Sequence, residues 1–304
     1  MPPKICYYSF VKILIFINFF NLTVDMIELI YLVCLFLLII GTFTDIKVRE
    51  VPDWINYAGI FAGLGIRLIF SIHSFDWSFI LEGLFGFGVF FAIGVVMFYS
   101  GQWGGGDSKL LMALGALLGL QWNLSNFTIG FIINLMIVGG IYGFIWTSVL
   151  ALKNWDKFLK EFKKRLSKQG MHRFIFIGFA IVFFIAAFLI SDVIMKFLLF
   201  FIALFLPLMN YLILFVRSVE KSCMLKRVRP SELTEGDWIA KDVIIKKKRI
   251  CGPKDLGIEK AQIRKLLKLK VKSVIIKVGI PFVPSFLLAF LMTLLIGNPL
   301  AVLF

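Results

Sequence analysis

Apolar residues in this chain run in long, nearly uncharged stretches, with polar positions gathered between them. Eight stretches read as helices, at about 27–43, 56–72, 78–99, 108–121, 127–152, 174–191, 193–216 and 282–304. Several reach the roughly 17–25 residues that carry a helix across a bilayer. Residues 5–24 are also apolar, although Lys12 interrupts them, and would make a ninth. Trp54, Trp77, Trp103, Trp122 and Trp155 fall near the predicted ends, where indoles settle at the membrane interface. Small-residue pairs at Gly59/Gly63, Gly115/Gly119 and Gly139/Gly143 would let helices approach closely.

Two segments break this pattern. In 153–168, Trp155, Phe158, Leu159, Phe162 and Leu166 share one helical face and lysines fill the others. That spacing predicts an amphipathic helix on the anionic inner leaflet. In 217–278 a β-like run, Trp238–Val243, precedes a basic helical pattern near 258–272. The expected fold is an all-α polytopic membrane protein of about eight transmembrane helices with a small cytoplasmic α+β insertion.

Composition agrees: the 304 residues are 60% hydrophobic, with a mean hydropathy of +0.93, which excludes an ordinary soluble domain. Charge then orients the chain. Residues 153–173 hold eight basic and two acidic side chains (net +6), and 217–278 hold eighteen and seven (net +11). Their sum, +17, exceeds the total of +15, so the rest of the chain is at −2. The positive-inside rule places both segments in the cytoplasm. Counting spans from them puts the 44–55 and 100–108 loops on that side too. The basic surface reads as topology determinant and lipid contact, not as a nucleic-acid site. Cys6, Cys34, Cys223 and Cys251 form no CxxC pair, so neither a zinc tetrad nor a disulfide framework is expected.

Topology filters the carboxylates. Nine lie outside the basic segments, and only Asp45, Glu50, Asp53 and Asp107 share the cytoplasmic side. Asp45 is the one nearest a helix end; Glu50 and Asp53 lie farther out beside Lys47 and Arg49. Asp107 closes the run Gly104-Gly105-Gly106-Asp107 before a stretch of sixteen residues to Trp122. Sixteen residues make about 24 Å of helix, short of a hydrocarbon core of about 30 Å. The glycine loop is therefore expected to dip below the membrane surface and shield Asp107, where glycines admit a substrate backbone. The competing structural role for Asp107 is to cap the next helix. Two carboxyl groups at close range cannot both ionise, and such a pair can activate water and polarise a carbonyl. No serine, cysteine or metal constellation competes, His73 is predicted outside, and His172 sits in a basic loop.

Asp45-Ile46-Lys47 with Val51-Pro52-Asp53 and Asn56, followed by Gly104-Gly105-Gly106-Asp107-Ser108-Lys109-Leu110, resembles the type IV prepilin peptidases, including archaeal preflagellin peptidases. The resemblance covers about residues 26–150. It implies a GxGD-type intramembrane aspartyl protease of the cell membrane that needs no cofactor or metal. Its implied work is to remove short basic leaders from pilin-like or flagellin-like precursors at the cytoplasmic face. By resemblance the catalytic pair carries over to Asp45 and Asp107, with Gly104, Gly106 and Lys109 as motif residues. The cysteine-rich loop of bacterial members is absent, so N-methylation is not expected, and 217–304 resembles the archaeal C-terminal extension. Thr44 before Asp45 departs from the Tyr-Asp of the presenilin-like branch.

The expected organisation is a dispensable apolar extension (1–25), a catalytic membrane core (26–152) and an amphipathic basic loop (153–173). A helix pair (174–216), a basic cytoplasmic domain (217–278) and a final membrane helix (279–304) follow. Two other classes fit the same aspartates: a proton- or ion-coupled transporter, against which stand the lack of an inverted repeat and of a mid-helix acid, and a catalytically silent assembly scaffold.

Overall fold

The computed structural model describes residues 25–123, 126–245 and 248–299, with backbone alone at 171–173. Residues 1–24, which hold the possible ninth helix and all of the predicted extension but Asp25, and residues 300–304 lie outside the described residues. Each of the eight predicted apolar stretches holds a helix among the described residues, and the chain is a predominantly helical polytopic membrane protein with a small α+β insertion. The helices are α1 (Met26–Val48), α2 (Asp53–Ser74), α3 (Ser78–Tyr99), α4 (Gly105–Leu118) and α5 (Phe127–Lys153). They continue with α6 (Trp155–Lys168), α7 (Met171–Leu189), α8 (Val193–Cys223), α9 (Lys260–Lys268) and α10 (Val283–Ile296). Among the described residues, α1, α2, α3, α5 and α8 are long and apolar enough to cross a membrane, while the apolar part of α7 and α10 are shorter. The described residues divide into two compact units: one up to Phe144 plus Gly279 onward, the other Ile145–Val278.

The first unit is built around α4. Residues Leu110, Leu111, Leu114 and Leu117 of this helix are fully buried, because small residues let its neighbours come close. A Cβ added at Gly63 of α2 would lie 2.7 Å from the Leu117 nitrogen, and one at Gly86 of α3 would run into the Gly115 carbonyl. Of the third predicted pair, Gly139 faces the Phe282 ring, whereas a Cβ at Gly143 would meet nothing within 4 Å. That pair is not a helix–helix seam.

Fourteen residues give α4 a length of about 21 Å, so its C-terminal end stops inside the bundle. The last carbonyls of a helix have no partner within it, and here Arg67 of α2 supplies one. Its Nε donates to the Leu117 carbonyl (2.9 Å) and its Nη2 to that of Leu118 (2.6 Å). Nη1 donates to the Phe79 carbonyl at 3.0 Å and lies 3.5 Å from Glu82, which accepts from Gln121 at 2.8 Å. The chain turns away at Gly119, whose φ of +64° and contact with the Arg67 guanidinium leave no room for a side chain. Phe286 and Phe290 of α10 join the same core. Asn134 of α5 donates to Thr293 Oγ1 (2.9 Å), tying α10 to α5.

In the second unit, α6 has the predicted amphipathic face, and part of it is covered. Phe158 is buried against Phe162, Phe215 and Val219, so this stripe packs on the end of α8. Glu161 binds both Arg165 and Lys221 at 3.1 Å, while Trp155 remains half exposed. The insertion folds as a three-stranded antiparallel sheet in the order β1 (Leu225–Val228), β5 (Val274–Lys277), β2 (Trp238–Ile239). A hairpin of β3 (Val243–Ile245) and β4 (Lys248–Cys251) lies beside α9 in sequence. The predicted strand Trp238–Val243 is thus two strands in two sheets. It breaks at Lys241-Asp242, where Asp242 accepts from Arg249 at 2.8 Å.

Candidate active site

A buried stripe on α1 leads to Asp45. Ile30, Cys34, Leu38, Gly41 and Asp45 recur every three or four residues, the spacing of one helix face. A Cβ at Gly41 would lie 3.4 Å from Leu110 of α4 and 3.3 Å from Val283 of α10, so α1, α4 and α10 meet there. Asp45 comes one turn after Gly41, where α1 ends; Asp107 comes one turn before Leu110, where α4 begins. The two carboxyl groups therefore reach the same level, close enough to feel each other's charge.

Their surroundings differ. Asp45 is only 4% exposed, and its Oδ2 accepts the Val283 N–H at 2.9 Å. The Phe282 N–H donates to the same carboxyl group. Asp107 is half-buried at the third position of α4, and its Oδ2 accepts the Gly104 N–H at 3.0 Å. The helix-cap role and proximity to Asp45 therefore coexist. Tyr142 of α5 is also within electrostatic reach of Asp45.

The motif residues hold the two helix ends together. Gly106 lies under Val51 of the α1–α2 connection, whose backbone nitrogen a Cβ would approach to 3.2 Å. Its carbonyl faces the Asn56 Nδ2 at 3.5 Å. A Cβ at Gly104 would stand 3.2 Å from Asp107 Oδ2. Lys109 points away from the pair: its Nζ binds Asp53 at 2.6 Å and lies 5.7 Å from the Tyr57 ring centre. Asp53 is exposed, as is Glu50. Asn56 Oδ1 and Ser108 Oγ are buried without a hydrogen-bond partner, as are Thr42 Oγ1 and Asn134 Oδ1 elsewhere in this unit, a situation rare enough to need a reason.

Sequence reasoning missed three contributors. Arg67 sits within a predicted span, and its charge was the signal for it. The N–H groups of Phe282 and Val283 were not legible as partners of Asp45. Pro281 and Pro284 do mark a helix start there, but nothing local tells what that start faces. Among the described residues, no three His, Cys, Asp or Glu side chains gather as a metal site. His73 is exposed at the end of α2.

Residues 31–144, a little over a third of the chain, match the type IV leader peptidase family. The matched stretch runs from the buried stripe of α1 through the glycine loop and most of α5. The preflagellin peptidase of Methanocaldococcus jannaschii is 38% identical over 81 residues, or 27% of this chain and 34% of that protein. That of Methanococcus maripaludis is 38% identical over 81 residues, 27% and 35% of the two chains. That of Methanococcus voltae is 35% identical over 88 residues, 29% and 37%. The chain thus spans about a third of the length of the curated relatives it matches. No solved structure matches it.

Proposed function

We propose that this protein is an aspartyl leader peptidase that cuts prepilin-like or preflagellin-like precursors, with Asp45 and Asp107 as its catalytic pair. The convergence of those two carboxyl groups at the meeting of α1 and α4 carries the reading. One carboxylate takes a proton from water as its oxygen attacks the scissile carbonyl carbon. The protonated partner hydrogen-bonds the carbonyl oxygen and stabilises the charge that develops there. Collapse of the tetrahedral intermediate breaks the C–N bond, and the leaving nitrogen takes up a proton from the pair. Gly104 and Gly106 leave a strip of backbone that an extended peptide can approach.

The test is cleavage of a precursor with a short basic leader and a following apolar helix, by the full-length protein in detergent. Asp45→Asn and Asp107→Asn should each lower turnover by about a thousandfold or more, and the double variant should fall little further, as for residues that act as a unit. Glu50→Gln should be close to normal. Near-normal cleavage by either Asn variant would sink the pair.

The orientation belongs to the same proposal. The basic insertion 217–278 faces the cytoplasm, the pair opens to that side of the cell membrane, and the lysines of α6 rest on anionic lipid. A single-cysteine variant carrying Lys241→Cys should resist an impermeant thiol reagent added to intact cells and react after lysis. Labelling from outside would reverse the topology.

A further inference from the structure

The first turn of α10 lies outside residues 31–144, yet it touches both halves of the site. Its N–H groups at Phe282 and Val283 reach Asp45, with Val283 at 2.9 Å. Its rings hold the other half: Trp103, beside Gly104, has ring-centre distances of 5.7 Å to Phe282 and 5.3 Å to Phe286. The Phe282 ring is seated where Gly139 of α5 carries no side chain. One short segment therefore fixes the carboxyl group at the end of α1 and the glycine loop that precedes Asp107.

A second attachment comes from α1 itself. Arg49 caps that helix in the left-handed conformation, φ 59°, with its N–H on the Asp45 carbonyl at 2.8 Å. Its Nη1 donates to the Gly279 carbonyl at 2.5 Å. Gly279 lies only four residues before Val283, so the guanidinium grips the chain just ahead of the turn that binds Asp45. An arginine at a helix end ordinarily faces water; here it spans 230 residues of sequence to reach a single carbonyl.

From this we infer that Arg49 is a positioning residue: by clamping residues 279–283 it seats the first turn of α10 on Asp45 and fixes the carboxyl group for reaction with its partner. The inference rests on the carboxyl pair proposed above. The role needs a hydrogen-bond donor at the end of a long side chain, which lysine also supplies and methionine does not. The clamp acts on the geometry of the reacting group and not on the peptide, so it affects turnover more than substrate binding.

The experiment compares Arg49→Met and Arg49→Lys in the full-length protein, with Asp45→Asn alongside, by cleavage kinetics and by hydrogen exchange. Arg49 is exposed, so both variants should fold and melt as the parent does. Arg49→Met should lower kcat by about tenfold to a hundredfold, the cost of slight misplacement in an active site, with KM nearly unchanged. Arg49→Lys should recover most of the loss. The first N–H groups of a helix have no partner within it, so the Phe282 and Val283 amides owe their protection to Asp45. They should exchange faster in Arg49→Met and as slowly as in the parent in Arg49→Lys. Unchanged kcat in Arg49→Met, with Asp45→Asn inactive, would leave the pair standing and overturn the clamp. A loss confined to KM, or one that lysine does not rescue, would also overturn it. If Asp45→Asn cleaves normally, the pair falls and the catalytic role of the clamp with it. Amide exchange then still reports whether Arg49 holds the turn.

Discussion

The helix α4 has an ionisable group at each end, and the two ends are finished differently. At its C-terminal end Arg67, 3% exposed, donates to three backbone carbonyls and faces Glu82. Charge and backbone satisfy each other, and Gly119 closes the turn around them. At its N-terminal end Asp107 accepts one N–H from the glycine loop, with another carboxyl group close enough to act on its charge. Burying charge in a membrane is expensive at either end. At one end the surrounding structure offsets the expense; at the other, polar capacity is left for something else. The proposed catalytic group is the one whose neighbourhood is left incomplete, and the structural one is the one whose neighbourhood is filled.

The two ends should respond oppositely to mutation. The Asn substitutions at Asp45 and Asp107 give the largest effect on activity, and they should leave the melting temperature nearly unchanged, because the amide keeps the size and one acceptor. Arg67→Met should do the reverse. It strands two carbonyls at the end of α4 and leaves Glu82 without its counter-charge, at a cost of about 3–5 kcal/mol. Thermal unfolding in detergent should show a large drop in midpoint, with activity lost in step with the folded fraction. Full stability in Arg67→Met, or a severe stability loss in Asp107→Asn, would break the contrast. The smallest effect is expected at Lys109→Met. Its ion pair with Asp53 at 2.6 Å is solvent-exposed on both sides, so its loss should cost at most about 1 kcal/mol. A collapse of turnover in Lys109→Met without loss of stability would show that this lysine acts on substrate.

Much of the fold was legible because the governing signals are local. A run of apolar residues forms a helix in lipid whatever lies beside it, since the backbone must satisfy its own hydrogen bonds there. The eight stretches therefore each hold a helix, although α8 continues past the predicted residue 216 to Cys223, α4 starts and stops about a turn earlier than expected, and α10 ends at Ile296, well before the predicted 304. The strand prediction at Trp238–Val243 failed for the complementary reason. Strands are defined by partners, and Trp238–Ile239 pairs with β5 while Val243–Ile245 pairs with β4. The amphipathic face of α6 was visible, but that Phe158 would be covered by Phe215 of α8 was not.

The site divides along the same line. The sequence by itself singled out the two carboxylates of the proposed pair: Asp45 at a helix end and Asp107 after three glycines. These follow from residue type, spacing and charge asymmetry, each readable within a few turns of chain. Only the tertiary structure decided what surrounds them. The partners of Asp45 are backbone N–H groups, which every residue but proline carries, and Val283 lies 238 residues away. No side-chain pattern announces a backbone donor. Its role is set by where a helix begins in space and which way its first turn points, and that is fixed by the packing of α1, α4 and α10 against one another.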